Sequence, residues 1–151
     1  MNESYSMQIP NLAPIPELFV SYDSAQKLKV EAAELTSWDL SPRQICDLEL
    51  LMNGGFYPLK GFLTEEDYNG VVDNMRLADG TLWSIPITLD VSAEVGAQLK
   101  PGSELVLRDP EGVMLAVLEV LRRRDVPWVW FLGDAAPVPL VDGVSTEILS
   151  L

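Results

Sequence analysis

Apolar residues in the first part of the chain recur every three or four positions, which is the spacing of one helical face. This pattern predicts a first helix over residues 24–35, with Asp23 at its N-cap position and Gln26 at the capping-box spacing. The face that this helix would bury consists of Ala25, Leu28, Ala32 and Leu35.

A second helix is predicted to begin at Ser41. Pro42 suits the first helical position, and Gln44 completes the S-x-x-Q spacing of a capping box. Gly54 and Gly55 then end the helix in a way that permits a left-handed turn. The apolar stripe of this helix comprises Ile45, Leu48 and Met52, with Leu51 beside it.

A third helix is predicted over residues 65–75. Thr64 can cap it, and three acidic residues occupy its first turn, where the helix dipole favours negative charge. Its apolar face comprises Tyr68, Val71, Val72 and Met75.

After residue 80 the hydrophobic period changes to two, which indicates strands. Residues 81–91 are predicted to form a half-buried strand, with Pro86 at a sheet edge or a bulge. Residues 104–108 and 113–121 are predicted to pair as a hairpin, and residues 126–132 and 146–151 to form further strands. The inner face of the strand over residues 81–91 would carry Trp83, Ile85, Ile87 and Leu89.

Helices therefore come first and strands follow, which predicts an α+β fold with a small, strongly curved antiparallel sheet or barrel. The 151 residues and the hydrophobic content of 48% suit a single folded domain. Residues 1–16 carry three prolines and are expected to form an extended arm; they lack the basic and apolar regions of a signal peptide. No apolar run approaches the roughly 20 residues that span a bilayer.

The charge and the rare residue types narrow the chemistry. A net charge of −13 disfavours nucleic acid and anionic membranes as partners. The sequence has no histidine, the commonest general acid–base group and metal ligand. Its one cysteine, Cys46, indicates a reducing compartment, so a cytoplasmic location is expected. Cys46 itself is expected to be a small buried hydrophobe rather than a nucleophile.

Phosphate-binding glycine motifs do not occur in the sequence. The many carboxylates are explained by helix starts, turns and a solvated acidic surface. The residues alone therefore predict no catalytic residue, no metal site and no cofactor.

Two stretches of the sequence resemble a known family. Residues 35–91, which contain CDLELLMNGGF, PLKGF and MRLADGTLWSIPITLDV, resemble the N-terminal domain of sulfate adenylyltransferase (ATP sulfurylase). Residues 99–120, which contain LRDPEG, continue the match, and the resemblance extends over residues 17–121. It implies a PUA-like fold, in which N-terminal helices flank a small antiparallel β pseudobarrel.

The resemblance also implies a structural role for the aromatic loop after the second helix. This loop is expected to pack the helices against the barrel, with glycines permitting the turns and aromatic rings supplying buried area. Trp128 and Trp130 are expected in a strand core or at an interface, although such a pair could also stack bases. The loop residues concerned are Phe56, Pro58, Leu59, Gly61, Phe62 and Leu63.

Enzymes of this family join ATP and sulfate into adenosine 5'-phosphosulfate and pyrophosphate in a second, larger α/β domain. The R-N-P and H-x-x-H stretches of that domain do not occur in this sequence, so no catalytic residue carries over. We expect a stand-alone domain over residues 1–151, with a divergent, shortened tail at residues 122–151. It would be inactive alone and act as an accessory or structural module of sulfate activation by docking on a separate catalytic subunit, or it would be a remnant of such an enzyme.

Two alternatives stay open at the level of the sequence. PUA domains often bind RNA, although the net charge of −13 opposes this function. The chain could also be an interaction module that self-associates through an apolar patch of Trp128, Trp130 and Phe131.

Overall fold

The computed structural model describes residue 15, residues 18–126 and residues 138–148, with the backbone alone at 123–126, 138–140 and 142–148. Helices and strands alternate along the described chain as far as residue 108, and two further strands follow, so the helices do not all precede the strands as predicted. The helices are α1 (Tyr22–Glu31), α2 (Pro42–Met52), α3 (Glu65–Asn74) and α4 (Ala93–Gln98). The strands are β1 (Ser37–Asp39), β2 (Gly61–Phe62), β3 (Leu89–Asp90), β4 (Glu104–Arg108), β5 (Met114–Val126) and β6 (Val138–Ile148).

The strands form a six-stranded sheet in the order β1-β4-β5-β6-β2, and β3 also pairs with β6. The long strand β6 lies centrally, because one edge pairs with β5 and the other with both β2 and β3. Register shifts at Val117/Leu118 and Val120/Arg122 mark bulges, which bend a sheet. The predicted α+β class is confirmed, but the sheet is mixed rather than wholly antiparallel, since β1 runs parallel to β4.

Helix α1 begins earlier than predicted and ends sooner. Its N-cap is Ser21, whose side chain accepts a hydrogen bond from the Ser24 amide, and not Asp23. After Glu31 the chain tightens into a short 3-10 helix over Ala32–Glu34. Three of the four predicted inner residues are buried in a cluster with β4 and β5, and Leu35 packs half-buried against it: the cluster comprises Ala25, Leu28, Ala32, Val106, Met114 and Val117.

Helix α2 forms with the predicted capping box, because Ser41 and Gln44 satisfy each other's backbone amides. Gly54 has φ of 77°, the left-handed turn that the sequence predicted after this helix. The prediction for Cys46 is wrong: the residue is exposed. Two positions along a helix is about 200° of rotation, so Cys46 faces away from the buried Gln44 and Leu48.

Helix α3 is capped by Thr64 as predicted, and it ends at Met75 in the left-handed region with φ of 55°. Its buried face is narrower than the sequence pattern indicated. Val71 is buried and Tyr68 half-buried, whereas Val72 and Met75 are 53% and 57% exposed.

The strand predicted over residues 81–91 is largely absent. Within this described segment only an isolated bridge at Leu82 and the two residues of β3 have strand pairing. Ile85, predicted on the inner face, is 58% exposed, while Ile87 and Leu89 are buried. Pro86 supplies no amide to a ladder, so the segment crosses the domain as irregular chain.

The predicted hairpin is confirmed, with β4 and β5 paired around the turn at 109–112. Strand β5 continues to Val126, beyond the predicted end at residue 121. Residues 146–148, predicted to be a strand, are the end of β6, whereas 127–132 lie outside the described residues. Within the described part, no helix is long and apolar enough to cross a membrane.

Candidate functional site

The loop that joins α2 to β2 and α3 is bound to three different parts of the domain. Its start is tied to α2, because the Phe56 amide donates to the carbonyl of Leu50 at 2.9 Å. Its end joins the sheet, because β2 pairs with β6. Just beyond β2, the Leu63 amide donates to the carbonyl of Ile87 at 2.9 Å. The loop therefore fixes α2, β6 and the 81–91 segment relative to one another.

The side chains of this loop divide into buried and surface groups. Leu59, Phe62 and Leu63 are buried in the main core, and Gly61 is buried within β2. Phe56 and Pro58 are half-buried, while Tyr57 is 56% exposed. The six loop residues named from the sequence thus lie in one connection between α2 and α3, and Trp128 and Trp130 lie outside the described residues.

An aromatic contact joins the loop to the segment after α3. The rings of Phe56 and Trp83 meet edge to face, with centroids 5.7 Å apart. The Trp83 backbone amide donates to the Met75 carbonyl at 2.9 Å, and the indole Nε1 donates to the Ile85 carbonyl at 2.6 Å. Sequence patterns gave no sign of this pairing, since the two aromatic residues belong to separate elements.

A cleft of about 290 Å³ lies beside the loop, lined by residues 58–64, Asp67 and residues 77–79. The Asp67 carboxylate borders it but is already engaged. One oxygen accepts the Thr64 hydroxyl at 2.9 Å and the other accepts the Ala78 amide at 2.9 Å. Through these two hydrogen bonds, Asp67 connects the start of α3 to the turn that follows this helix.

The buried amide of Gln44 is the polar centre of the α2 end. Its Oε1 accepts from the Ser41 amide at 2.9 Å and from the Trp38 indole at 3.4 Å. Its Nε2 donates to the Asp90 carbonyl at 2.7 Å and to the Asp90 side chain at 3.1 Å. Gln44 thereby links α2, β1 and β3. The capping-box pattern identified the residue but not its contacts with β1 and β3.

Arg43 extends this network to the surface. Its guanidinium donates to Asp47 at 2.7 Å and to Asp90 at 2.6 Å. Burial raises the pKa of Asp47, and the attraction and hydrogen bond of Arg43 oppose that rise only in part. The Asp47 carboxylate therefore serves in packing and in ion pairing with Arg43.

A wider groove of about 790 Å³ opens between α1 and the β4–β5 hairpin, and four glutamates line it. In the described ranges, no set of three or more histidine, cysteine, aspartate or glutamate side chains is placed to hold a metal ion. The groove glutamates are Glu31, Glu34, Glu104 and Glu119.

In the turn after α3, hydrogen bonds from Thr81 lower the pKa of the exposed Asp79 carboxyl.

Together, the helices, the mixed curved sheet and the packed loop define a small α+β scaffold domain whose described polar groups mostly hold the fold together. The chain belongs to the PUA-like domain family, whose model matches residues 8–124.

Curated relatives of the chain are sulfate adenylyltransferases. The enzyme of Kluyveromyces lactis is 49% identical over 105 residues, which is 67% of this chain and 21% of that enzyme. The enzyme of Emericella nidulans is 60% identical over 85 residues, which is 55% of this chain and 15% of that enzyme. The chain thus spans about a fifth or less of the length of these relatives.

A solved structure gives the same picture of the fold. A hexameric APS kinase from Thiobacillus denitrificans superimposes with a TM-score of 0.70 at 34% identity, covering 89% of this chain and 26% of that one. The resemblance to the PUA-like N-terminal domain of sulfate adenylyltransferase is confirmed by the family match and the relatives.

Proposed function

We propose that this chain is a non-catalytic module of sulfate activation, which supports the enzyme that makes adenosine 5'-phosphosulfate from ATP and sulfate. The observation that carries this proposal is its 49–60% identity to sulfate adenylyltransferases over a segment that is 15–21% of their length. A module of this size serves the reaction by packing against the part of the enzyme that binds nucleotide, whether that part is on another chain or the same one.

The residue chemistry supports the non-catalytic half of this proposal. The 151 residues include no histidine, so a proton shuttle near neutral pH would need another strongly shifted group. In the described part of the chain, burial raises the pKa of Asp47, and hydrogen bonds from Thr81 within a turn lower the pKa of Asp79. Both causes are structural.

The direct test is an assay of pyrophosphate release from ATP and sulfate by the purified chain. We expect no release above the buffer blank, with the full-length Kluyveromyces lactis enzyme as the positive control. Sulfate-dependent turnover by this chain alone would show that the non-catalytic assignment is wrong.

The accessory half needs a different test. The Kluyveromyces lactis enzyme would be expressed without the 105 residues that this chain matches, alone and together with this chain. We expect co-expression to yield a co-purifying complex and to raise the amount of truncated enzyme in the supernatant. Absence of any complex would contradict docking on a catalytic partner.

Self-association is a second candidate, favoured by the structural similarity to a protein described as hexameric. Multi-angle light scattering of the chain over a concentration series tests it. A mass above 16.7 kDa that falls on Trp128→Ala or Trp130→Ala substitution would support the patch predicted from the sequence.

RNA binding is less favoured, since a net charge of −13 repels phosphates. We assign the module to the cytoplasm on the evidence of its single cysteine.

A further inference from the structure

Two uncharged stretches of the sequence meet on the surface of the domain. Residues 50–59 and 80–89 contain no charged side chain, in a chain in which 22% of residues are charged. The contact between Phe56 and Trp83 joins the two stretches. Around this contact lies what we call the Trp83 surface, which consists of Phe56, Tyr57, Met75, Trp83 and Ile85.

The Trp83 surface is apolar and accessible. Tyr57, Met75 and Ile85 are 56%, 57% and 58% exposed, although each is a large apolar or aromatic residue. Hydrogen bonds keep Met75 and Ile85 near Trp83, because the Trp83 amide and indole donate to their backbone carbonyls. Tyr57 directly follows Phe56, whose ring contacts Trp83. Contiguous exposed apolar surface of this kind, unlike scattered single residues, marks an interaction site.

Two features of Trp83 reduce the free-energy cost of burying this surface in an interface. The indole Nε1 of Trp83 already donates to Ile85 at 2.6 Å, so covering it would leave no unsatisfied donor in the ring. The edge-to-face contact with Phe56 holds the indole in place, which lowers the entropy lost on binding. Tryptophan and tyrosine are enriched among the residues that dominate interface energies.

The relatives indicate what covers such a surface. The sulfate adenylyltransferases continue far beyond the matched segment, since this chain spans only 15–21% of their length. A permanent neighbour is therefore part of those proteins. Permanent interfaces are more apolar than transient ones and depleted of charge at their centres, as the Trp83 surface is.

We infer that the Trp83 surface is the face through which this chain docks on the catalytic part of a sulfate adenylyltransferase. This inference rests on the proposed function. It selects one face of the domain and excludes the acidic groove beside α1 as the docking face.

Co-expression with the truncated Kluyveromyces lactis enzyme tests the inference, with the yield of co-purified complex as the readout. The chain would carry Ile85→Glu or Tyr57→Ala on the Trp83 surface. Val30→Glu is the matched control, because Val30 is 77% exposed on α1 and lies in a different element. Circular dichroism and thermal melting of each purified variant verify the fold.

We expect Ile85→Glu to lower the complex yield about tenfold or more and Tyr57→Ala to lower it several-fold, with Val30→Glu matching the wild type. Equal yields from all variants, or an equal loss in Val30→Glu, would overturn the choice of surface and leave the proposed function standing. No complex with the wild-type chain would overturn the proposed docking on a catalytic partner, and this inference with it.

Discussion

At the scale of single residues, Gln44 shows how a capping position acquires a second role. The side chain is 1% exposed and its amide bonds to three other residues. A buried amide is favourable only while each partner is satisfied, because unmet buried donors and acceptors keep their full desolvation cost. The helix cap, β1 and β3 are thus coupled through one side chain.

Replacing Gln44 by alanine should lower the free energy of unfolding by about 3 kcal/mol. The substitution leaves a void, and it removes the partners of the Ser41 amide and the Asp90 carbonyl. Urea denaturation measures the change. Gln98→Ala, at an exposed position in α4, is the control and should alter stability by less than about 0.5 kcal/mol. Similar small effects at both positions would refute a central role for Gln44.

Two aspartates should give opposite pH dependence. Burial raises the pKa of Asp47, so its contribution to stability grows as the pH falls through that raised pKa. Hydrogen bonds from Thr81 lower the pKa of Asp79, so its contribution is present above the ordinary pKa and is lost as the pH falls through the lowered value.

At pH 7, Asp47→Asn should therefore be at least as stable as the wild type, and Asp79→Asn less stable. Both differences should shrink as the pH falls from 7 through the pKa of each folded-state carboxyl, because the wild-type groups then take up protons. Thermal unfolding across this range provides the measurement. A stability difference for Asp79→Asn that is independent of pH would contradict a role for its charge.

At the scale of elements, α3 and the turn after it approach closely at Gly70. A Cβ atom placed on Gly70 would lie 2.5 Å from the carbonyl oxygen of Arg76. The obstacle is backbone, which cannot move aside like the end of a flexible side chain. The same turn is held by the Arg76 amide, which donates to the Gly70 carbonyl at 3.2 Å.

Gly70→Ala should destabilise the domain by about 1–3 kcal/mol, as overpacking does. Helix propensity alone predicts the opposite sign, because alanine favours a helix interior over glycine by roughly 1 kcal/mol. The sign of the measured change therefore separates the two effects. Asn69→Ala, exposed on the same helix, should be neutral or slightly stabilising.

Local signals predicted the elements that local chemistry determines. The caps of α2 and α3 and the β4–β5 turn were readable because each depends on residues within one turn of chain. The segment over residues 81–91 alternates like a strand, yet its partners are set by distant elements, and Pro86 interrupts the ladder. Helix α4 was missed because its six residues are too few for a periodic pattern.

The same limit applies to the candidate surface. The family resemblance predicts a packed loop around Leu59 and Phe62, whereas the contact of Phe56 with Trp83 depends on how two separate loops meet. Residue type alone predicts that Cys46 is buried, but Gln44 and Leu48 determine which face of α2 is buried and leave Cys46 exposed.

At the scale of the whole molecule, β6 holds the sheet together, although it lies in residues 122–151, for which the sequence predicts a divergent, shortened tail. It contacts β5, β2 and β3. Val141, at its pairing with Leu89, is 1% exposed. The match to the family model ends at residue 124, before this strand begins.

A chain ending at Val126 should therefore fail to fold cooperatively, because β2, β3 and one edge of β5 lose their partner. Thermal melting by circular dichroism should show no sharp transition, and the protein should aggregate. A chain ending at Ile148 keeps β6 and serves as the control. A cooperative transition in the shorter chain at the same temperature would show that β6 is dispensable.

The central place of β6 has a consequence during synthesis. Strands made early, such as β2 at residues 61–62 and β3 at 89–90, must wait with open edges until residues 138–148 have left the ribosome. Pairing between such distant segments is slow, and the unpaired strand edges are prone to aggregate with other nascent chains. Newly made copies should thus depend on chaperones more than the modest size of the domain suggests.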